Sequence, residues 1–181
     1  MLNKDKAILV VVDIQDVLLP KSKEVVDVYL RQAERMIRMV GALEIPVLVT
    51  EQNPERLGVT NAGIRDALGD VAAIPKIEFG CLANEAFRTA LAESGRMQLL
   101  VVGMEAHVCV LQTTLDALAA GYEVYLVSDA IVSSRKKEYK AGMARMQQAG
   151  ASRVTVEMAI FELLRKAGTP EFKQVLPFIK G

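Results

Sequence analysis

Apolar positions along the chain fall into two alternating rhythms. Short runs with apolar residues on consecutive positions recur at 8–12, 46–50, 72–77, 99–102, 124–127 and 154–156, and stretches of helical periodicity lie between them. Runs such as ILVVV and LLVVG lack the polar alternation of a half-exposed strand, which is what a parallel sheet covered on both faces by helices requires. In the intervening stretches, Val26, Leu30, Ala33, Ile37 and Val40 keep to one helical face, and Ala86, Ala90 and Leu91 sit between polar neighbours. Such helices read as crossovers between parallel strands. The predicted fold is α/β: a three-layer α/β/α sandwich, Rossmann-like, with a mainly parallel sheet of about six strands.

Punctuation supports the same division. Gly41, Gly95 and Gly121 fall near helix ends just before the next strand, where a glycine beyond the last turn is favoured. Thr169-Pro170-Glu171 pairs an N-cap residue with proline at the first helical position, which predicts a short last helix. No linker, repeat or low-complexity tract interrupts the chain, so one domain is expected over residues 1–181.

Composition narrows the function. With 51% apolar and 24% charged residues, the chain is neither collagen-like, disordered nor a disulfide scaffold. Its 22 basic and 22 acidic residues cancel without any long block of like charge, so neither a nucleic acid nor an anionic membrane is expected as a partner. The densest basic cluster, Arg135-Lys136-Lys137, is interrupted at once by Glu138 and reads as a solvated helix start. No apolar stretch approaches the roughly 20 residues of a membrane span. The apolar run at 7–12 is too short for a signal-peptide core and ends in Asp13, so a cytoplasmic location is expected. Cys81 and Cys109 are then reduced thiols, to be weighed as packing or chemistry before any disulfide.

Open parallel sheets bind ligands beyond the carboxyl ends of their strands. Those ends present Asp13, then Thr50-Glu51-Gln52, then Lys76 with Glu78, then residues 103–109, then Ser128-Asp129. Taken singly, Asp13 could be a cap, Lys76 a snorkelling surface residue and Cys109 a small buried hydrophobe. Together they set a carboxylate, an ammonium and a thiol at the ends of three strands. Cys109 is placed at the first turn of a helix, where the dipole and unpaired N–H groups favour an anion. A nearby Lys76 would lower the thiol pKa further and Asp13 could accept its proton, so a reactive thiolate is expected at neutral pH. Because Asp13 and Lys76 sit at strand ends, their replacement is expected to leave the fold intact.

Two rivals remain open. Cys81 also follows a strand and opens a helix, with no cation but Lys76 at hand. His107, the only histidine, is two residues from Cys109 and could serve as a base, although its side chain is expected to point away across the turn. Dinucleotide, P-loop and serine-hydrolase motifs are absent, and one histidine with two distant cysteines cannot supply a tetrahedral zinc set. No cofactor and no metal are expected.

The strand-end residues as a group resemble the isochorismatase-like cysteine hydrolase superfamily over nearly the whole chain. The resemblance lies in Asp13-Ile14-Gln15, Thr50-Glu51-Gln52-Asn53-Pro54, Lys76 before Phe79, and Gly103-Met104-Glu105-Ala106-His107-Val108-Cys109-Val110. Within the superfamily the chain looks most like the isochorismatase domain-containing proteins. The resemblance implies a triad of Asp13 as base, Lys76 as electrostatic support and Cys109 as nucleophile. It also implies a non-proline cis peptide at Met104–Glu105 and an oxyanion hole from the N–H groups of Glu105 and Cys109. Nicotinamidases of the superfamily carry metal-binding histidines between strands two and three, whereas residues 50–75 here contain none. Isochorismatases that cleave a vinyl ether lack the thiol.

The expected activity is therefore metal-independent hydrolysis of a small amide or related C–N substrate, with Gln52 and Phe79 lining the pocket. For Gln52, a loop-capping role stands beside substrate contact. A non-catalytic interaction protein that keeps the fold is the competing class. A homo-oligomer is also expected, mainly from the resemblance, with apolar residues at 143–146 and 172–179 as candidates for covered surface.

Overall fold

The computed structural model describes residues 1–180. Its frame is one six-stranded sheet in the order β3-β2-β1-β4-β5-β6. The strands are β1 (Ala7–Val12), β2 (Val47–Gln52), β3 (Ala73–Lys76), β4 (Gln98–Gly103), β5 (Glu123–Ile131) and β6 (Ser152–Val154). Every strand pair is parallel, as the unalternating apolar runs predict. The helices are α1 (Lys23–Ala42), α2 (Pro54–Leu57), α3 (Ala62–Leu68), α4 (Glu85–Glu93), α5 (Cys109–Ala119), α6 (Lys136–Gln148), α7 (Val156–Leu164) and α8 (Pro170–Lys180).

The pleat divides each strand between two cores. Ala7, Leu9 and Val11 face α1, α3, α7 and α8, while Ile8, Val10 and Val12 face α4, α5 and α6. This is the three-layer sandwich. Strand order reverses between β1 and β4, so the crevice that such sheets use for ligands opens between Asp13 and the segment after Gly103.

Several elements depart from expectation for local reasons. β5 runs on through Ser128 and Asp129, whose polarity masked its length: Ser128 Oγ donates to the Val154 carbonyl, and Asp129 Oδ1 accepts from Val156 N. The last strand ends at Val154 because Thr155 becomes the N-cap of α7, its hydroxyl accepting from Met158 N. Gly95 and Gly121 have positive φ at helix ends, but Gly41 lies inside α1, and Glu44 takes the left-handed position. The last helix starts as predicted, with Thr169 Oγ1 accepting from Phe172 N.

The surface assigned to assembly also shifts. Met143, Met146 and Val175 are buried, and Phe178 and Ile179 pack against the core of their own chain. The exposed large apolar side chains are elsewhere, with Ile77 at 69% and Phe79 at 54% exposure.

Candidate active site

Asp13 follows β1 directly, with a positive φ of 50°, and is fully buried. Its oxygens have separate partners: Oδ1 accepts from Thr50 Oγ1 at 2.7 Å, and Oδ2 accepts from Lys76 Nζ at 2.7 Å. Lys76, at the end of β3, is as deeply buried. Its ammonium also donates to Gln52 Oε1 at 2.7 Å and to the carbonyls of Glu78 at 3.0 Å and Phe79 at 3.1 Å. A buried ion pair persists only when its remaining valences are met, and these carbonyls meet them.

Gln52 is built into that support. Its amide oxygen accepts from Lys76 while its Nε2 donates to the Ile77 carbonyl at 2.7 Å. Its backbone is clasped by Gln15, whose Oε1 accepts from Gln52 N at 2.8 Å and whose Nε2 donates to Gln52 O at 3.0 Å. The geometry thus favours the capping role for Gln52 over substrate contact. Phe79 reaches the site through its carbonyl, and its ring is exposed rather than enclosed in a pocket.

Cys109 is the first residue of α5, with Val108 as an N-cap that offers no side-chain bond. Around it, Met104 N, Ala106 N, Val108 N and Val110 N all donate to backbone carbonyls. The alternate N–H groups of Glu105, His107 and Cys109 have no acceptor among the described residues. The Met104–Glu105 peptide is cis.

The expected thiolate is overturned by the surroundings of the sulfur. Cys109 is only 5% exposed, and burial pushes its thiol well above the ordinary range. Asp13 raises it further, through its negative charge and by accepting from the thiol, while Lys76 pulls the other way with less effect. The helix N-terminus does not outweigh desolvation beside a carboxylate. The resting group is a neutral thiol close to a carboxylate. The expectation that replacing Asp13 or Lys76 leaves the fold intact meets a cost in stability, because the two form an ion pair closed off from solvent.

Cys81 opens a 3-10 turn, with its N–H on Thr113 Oγ1 and its sulfur 3.6 Å from Thr50 Oγ1. Burial pushes its thiol up to about 11. His107 turns to Ser133 Oγ at 3.1 Å and Glu105 Oε2 at 3.4 Å, away from the triad as expected. Sequence reasoning passed over Gln15 and Thr50 as working residues. Their signal was polarity at strand ends inside apolar surroundings, where a buried polar group must have a partner.

No three His, Cys, Asp or Glu side chains gather as a metal-ligand group among the described residues. Glu51 commits Oε1 to Thr60 N and Thr60 Oγ1, both at 2.7 Å. A hollow of about 1050 Å³ touches Glu105 but none of Asp13, Lys76 or Cys109.

Comparison with known proteins identifies the family. The isochorismatase domain model matches residues 7–158. The chain belongs to the isochorismatase family. It is 38% identical over 178 residues to the secreted isochorismatase effector Isc1 of Phytophthora sojae, covering 96% of this chain and 84% of that one. Among solved structures, MAR1 ribonuclease from Caenorhabditis elegans superposes with a TM-score of 0.89 at 31% identity, over 99% of this chain and 92% of that one. The YcaC gene product of Escherichia coli, described as an octameric hydrolase of unknown specificity, shares the fold with a TM-score of 0.86 at 22% identity over 99% and 93% of the two chains. Family membership supports a hydrolase role and disfavours the non-catalytic alternative. No described helix is long and apolar enough to cross a membrane.

Proposed function

We propose that this isochorismatase-family protein hydrolyses a small amide or related C–N substrate through Cys109, Asp13 and Lys76. The observation that carries the reading is the fully buried Asp13–Lys76 pair, 2.7 Å apart, whose carboxylate charge bears on the buried Cys109 thiol at the first turn of α5. As Cys109 Sγ attacks the carbonyl carbon, its proton passes to Asp13. A thiolate therefore need not exist before substrate arrives. The free N–H groups of Glu105 and Cys109 are suited to hold the oxyanion, a role worth about 3 kcal/mol per donor in hydrolases.

The C–N bond breaks as the amine leaves with the proton from Asp13, giving a thioester. Water then gives its proton to Asp13, attacks the acyl carbon and releases the acid with the thiol restored. Lys76 keeps Asp13 oriented and ionised, Gln52 positions Lys76, and the exposed Phe79 ring is the apolar contact for substrate. Charge develops on oxygen held by backbone N–H groups, so the reaction in this reading proceeds without a metal.

The test is a screen of small amides and ureides against wild type, Cys109→Ala and Asp13→Asn, repeated after chelation. Turnover that both substitutions abolish and chelation leaves intact supports the reading. Turnover that survives Cys109→Ala overturns the nucleophile, and loss on chelation overturns the metal-free reaction. Two free cysteines fit a reducing cytoplasm, whereas Isc1 is named as secreted. Cell fractionation decides the compartment of this chain.

A further inference from the structure

The Arg135-Lys136-Lys137 cluster has no part in that chemistry, and its placement is costly. α6 begins at Lys136 with Arg135 as N-cap and no side-chain hydrogen bond to its first turn. Helix N-termini carry partial positive charge and favour carboxylates, so cations there add to the potential rather than cancel it. Only Glu138 stands against them in that turn.

Arg135 and Lys136 form one rim of the roughly 1050 Å³ groove, and Lys21, from the loop before α1, stands on the same lining. No carboxylate lies within ion-pairing distance of these three side chains among the described residues. The lining carries a single carboxylate, Glu105, which is turned to other partners: it accepts from Ser134 N at 2.8 Å and faces His107 at 3.4 Å.

The rest of the groove is chiefly apolar, formed by side chains such as Leu18, Leu19, Ile131 and Val132. Val17 leaves 62% of its surface to solvent there. The groove is thus an aliphatic floor beneath unpaired cations, with room for a ligand of ordinary small-molecule size. Neither feature alone selects an occupant. Joined, they select a molecule with an apolar tail and an anionic head.

We infer that this groove is a binding site for an amphipathic carboxylate, its tail on the aliphatic floor and its head at Lys21, Arg135 and the start of α6. The site is separate from the Cys109 triad and stands whether or not that triad turns over an amide. Through Glu105 an occupant touches the turn that carries the Cys109 helix, which makes the groove a second place from which that turn can be reached.

Calorimetric titration of the full chain decides it, with octanoate as probe and acetate, octyl glucoside and octyltrimethylammonium as controls. Octanoate should saturate one site per chain and weaken as salt rises, while acetate, lacking the tail, and the cationic detergent should not bind. Lys21→Ala and Arg135→Ala are exposed substitutions expected to keep the wild-type Tm, and each should weaken octanoate by about tenfold, as loss of one charge-assisted contact does. Equal binding of the cationic or neutral detergent, affinity unchanged in both variants, or no saturable octanoate binding would overturn the proposal. A drop in solution mass in both variants without octanoate binding to wild type would assign the groove to a second copy of the chain instead.

Discussion

At the scale of single residues, Asp13 and Lys76 control Cys109 in opposite senses, and this can be read without a substrate. Asp13 raises the thiol pKa and Lys76 lowers it. Wild-type Cys109 should therefore react slowly with iodoacetamide at pH 7 and faster as pH rises, since the thiolate is the reactive form. Asp13→Asn removes the negative charge while leaving the ammonium, so Cys109 alkylation at pH 7 should accelerate even though turnover is lost. Lys76→Ala should slow it, and should cost about 3–5 kcal/mol in stability by leaving a buried carboxylate unpaired. Peptide mapping of the alkylated cysteines is the measurement, with Cys81 unmodified throughout because it is fully enclosed. Slower alkylation in Asp13→Asn would remove Asp13 as the thiol's proton acceptor. Tyr29 supplies a second, opposite case. Its hydroxyl is buried without a hydrogen-bond partner, and burial with the charges of Asp13 and Glu105 holds its pKa well above the ordinary value. Tyr29→Phe removes an unsatisfied polar group at nearly constant shape and should raise stability by up to about 1 kcal/mol, or a few degrees in Tm. A lower Tm would show that the hydroxyl has a partner in solution.

Between elements, the decisive contacts are backbone approaches that only glycine allows. α6 packs on the turn before Cys109 so closely that a Cβ at Gly142 would lie 2.7 Å from the Ala106 carbonyl oxygen and 3.0 Å from His107 Cα. In an exposed helix, alanine for glycine gains up to about 1 kcal/mol. Here the clash meets backbone that cannot swing aside, so Gly142→Ala should destabilise and displace the turn that orients the Glu105 and Cys109 N–H groups. The expected result is a lower Tm together with loss of amide turnover, and an unchanged Tm would show that α6 does not press on the turn. This scale also separates what could be read from the chain. The strands were legible because β1 and β4 are buried on both faces and so are apolar at every position except Gln98. The extension of β5 was not, because Ser128 and Asp129 interrupt the apolar run while making bonds to β6 and α7 that only the folded chain brings near. Asp13, Lys76 and Cys109 were legible as strand-end chemistry. The protonation of the thiol was not, since it depends on enclosure and on which charge stands nearer, and neither is written in spacing.

At the scale of the whole molecule, the sheet order sets the site at the reversal between β1 and β4 but leaves β3, which carries Lys76, as an edge strand. The chain beyond that edge exposes Ile77 and Phe79 on either side of Glu78, next to the carbonyls that hold the Lys76 ammonium. Two large apolar side chains beside a buried ion pair are poorly suited to remain in water, and covering them removes apolar surface at about 25 cal/mol per Å². A second copy of the chain is the expected cover. Light scattering should then give a mass that is a multiple of 19.8 kDa. Ile77→Asp with Phe79→Asp should reduce it towards one chain while circular dichroism stays unchanged, because both side chains point to solvent and contribute little to the chain's own core. A wild-type mass of one chain would refute assembly. A multimer indifferent to the double substitution would move the contact to another face.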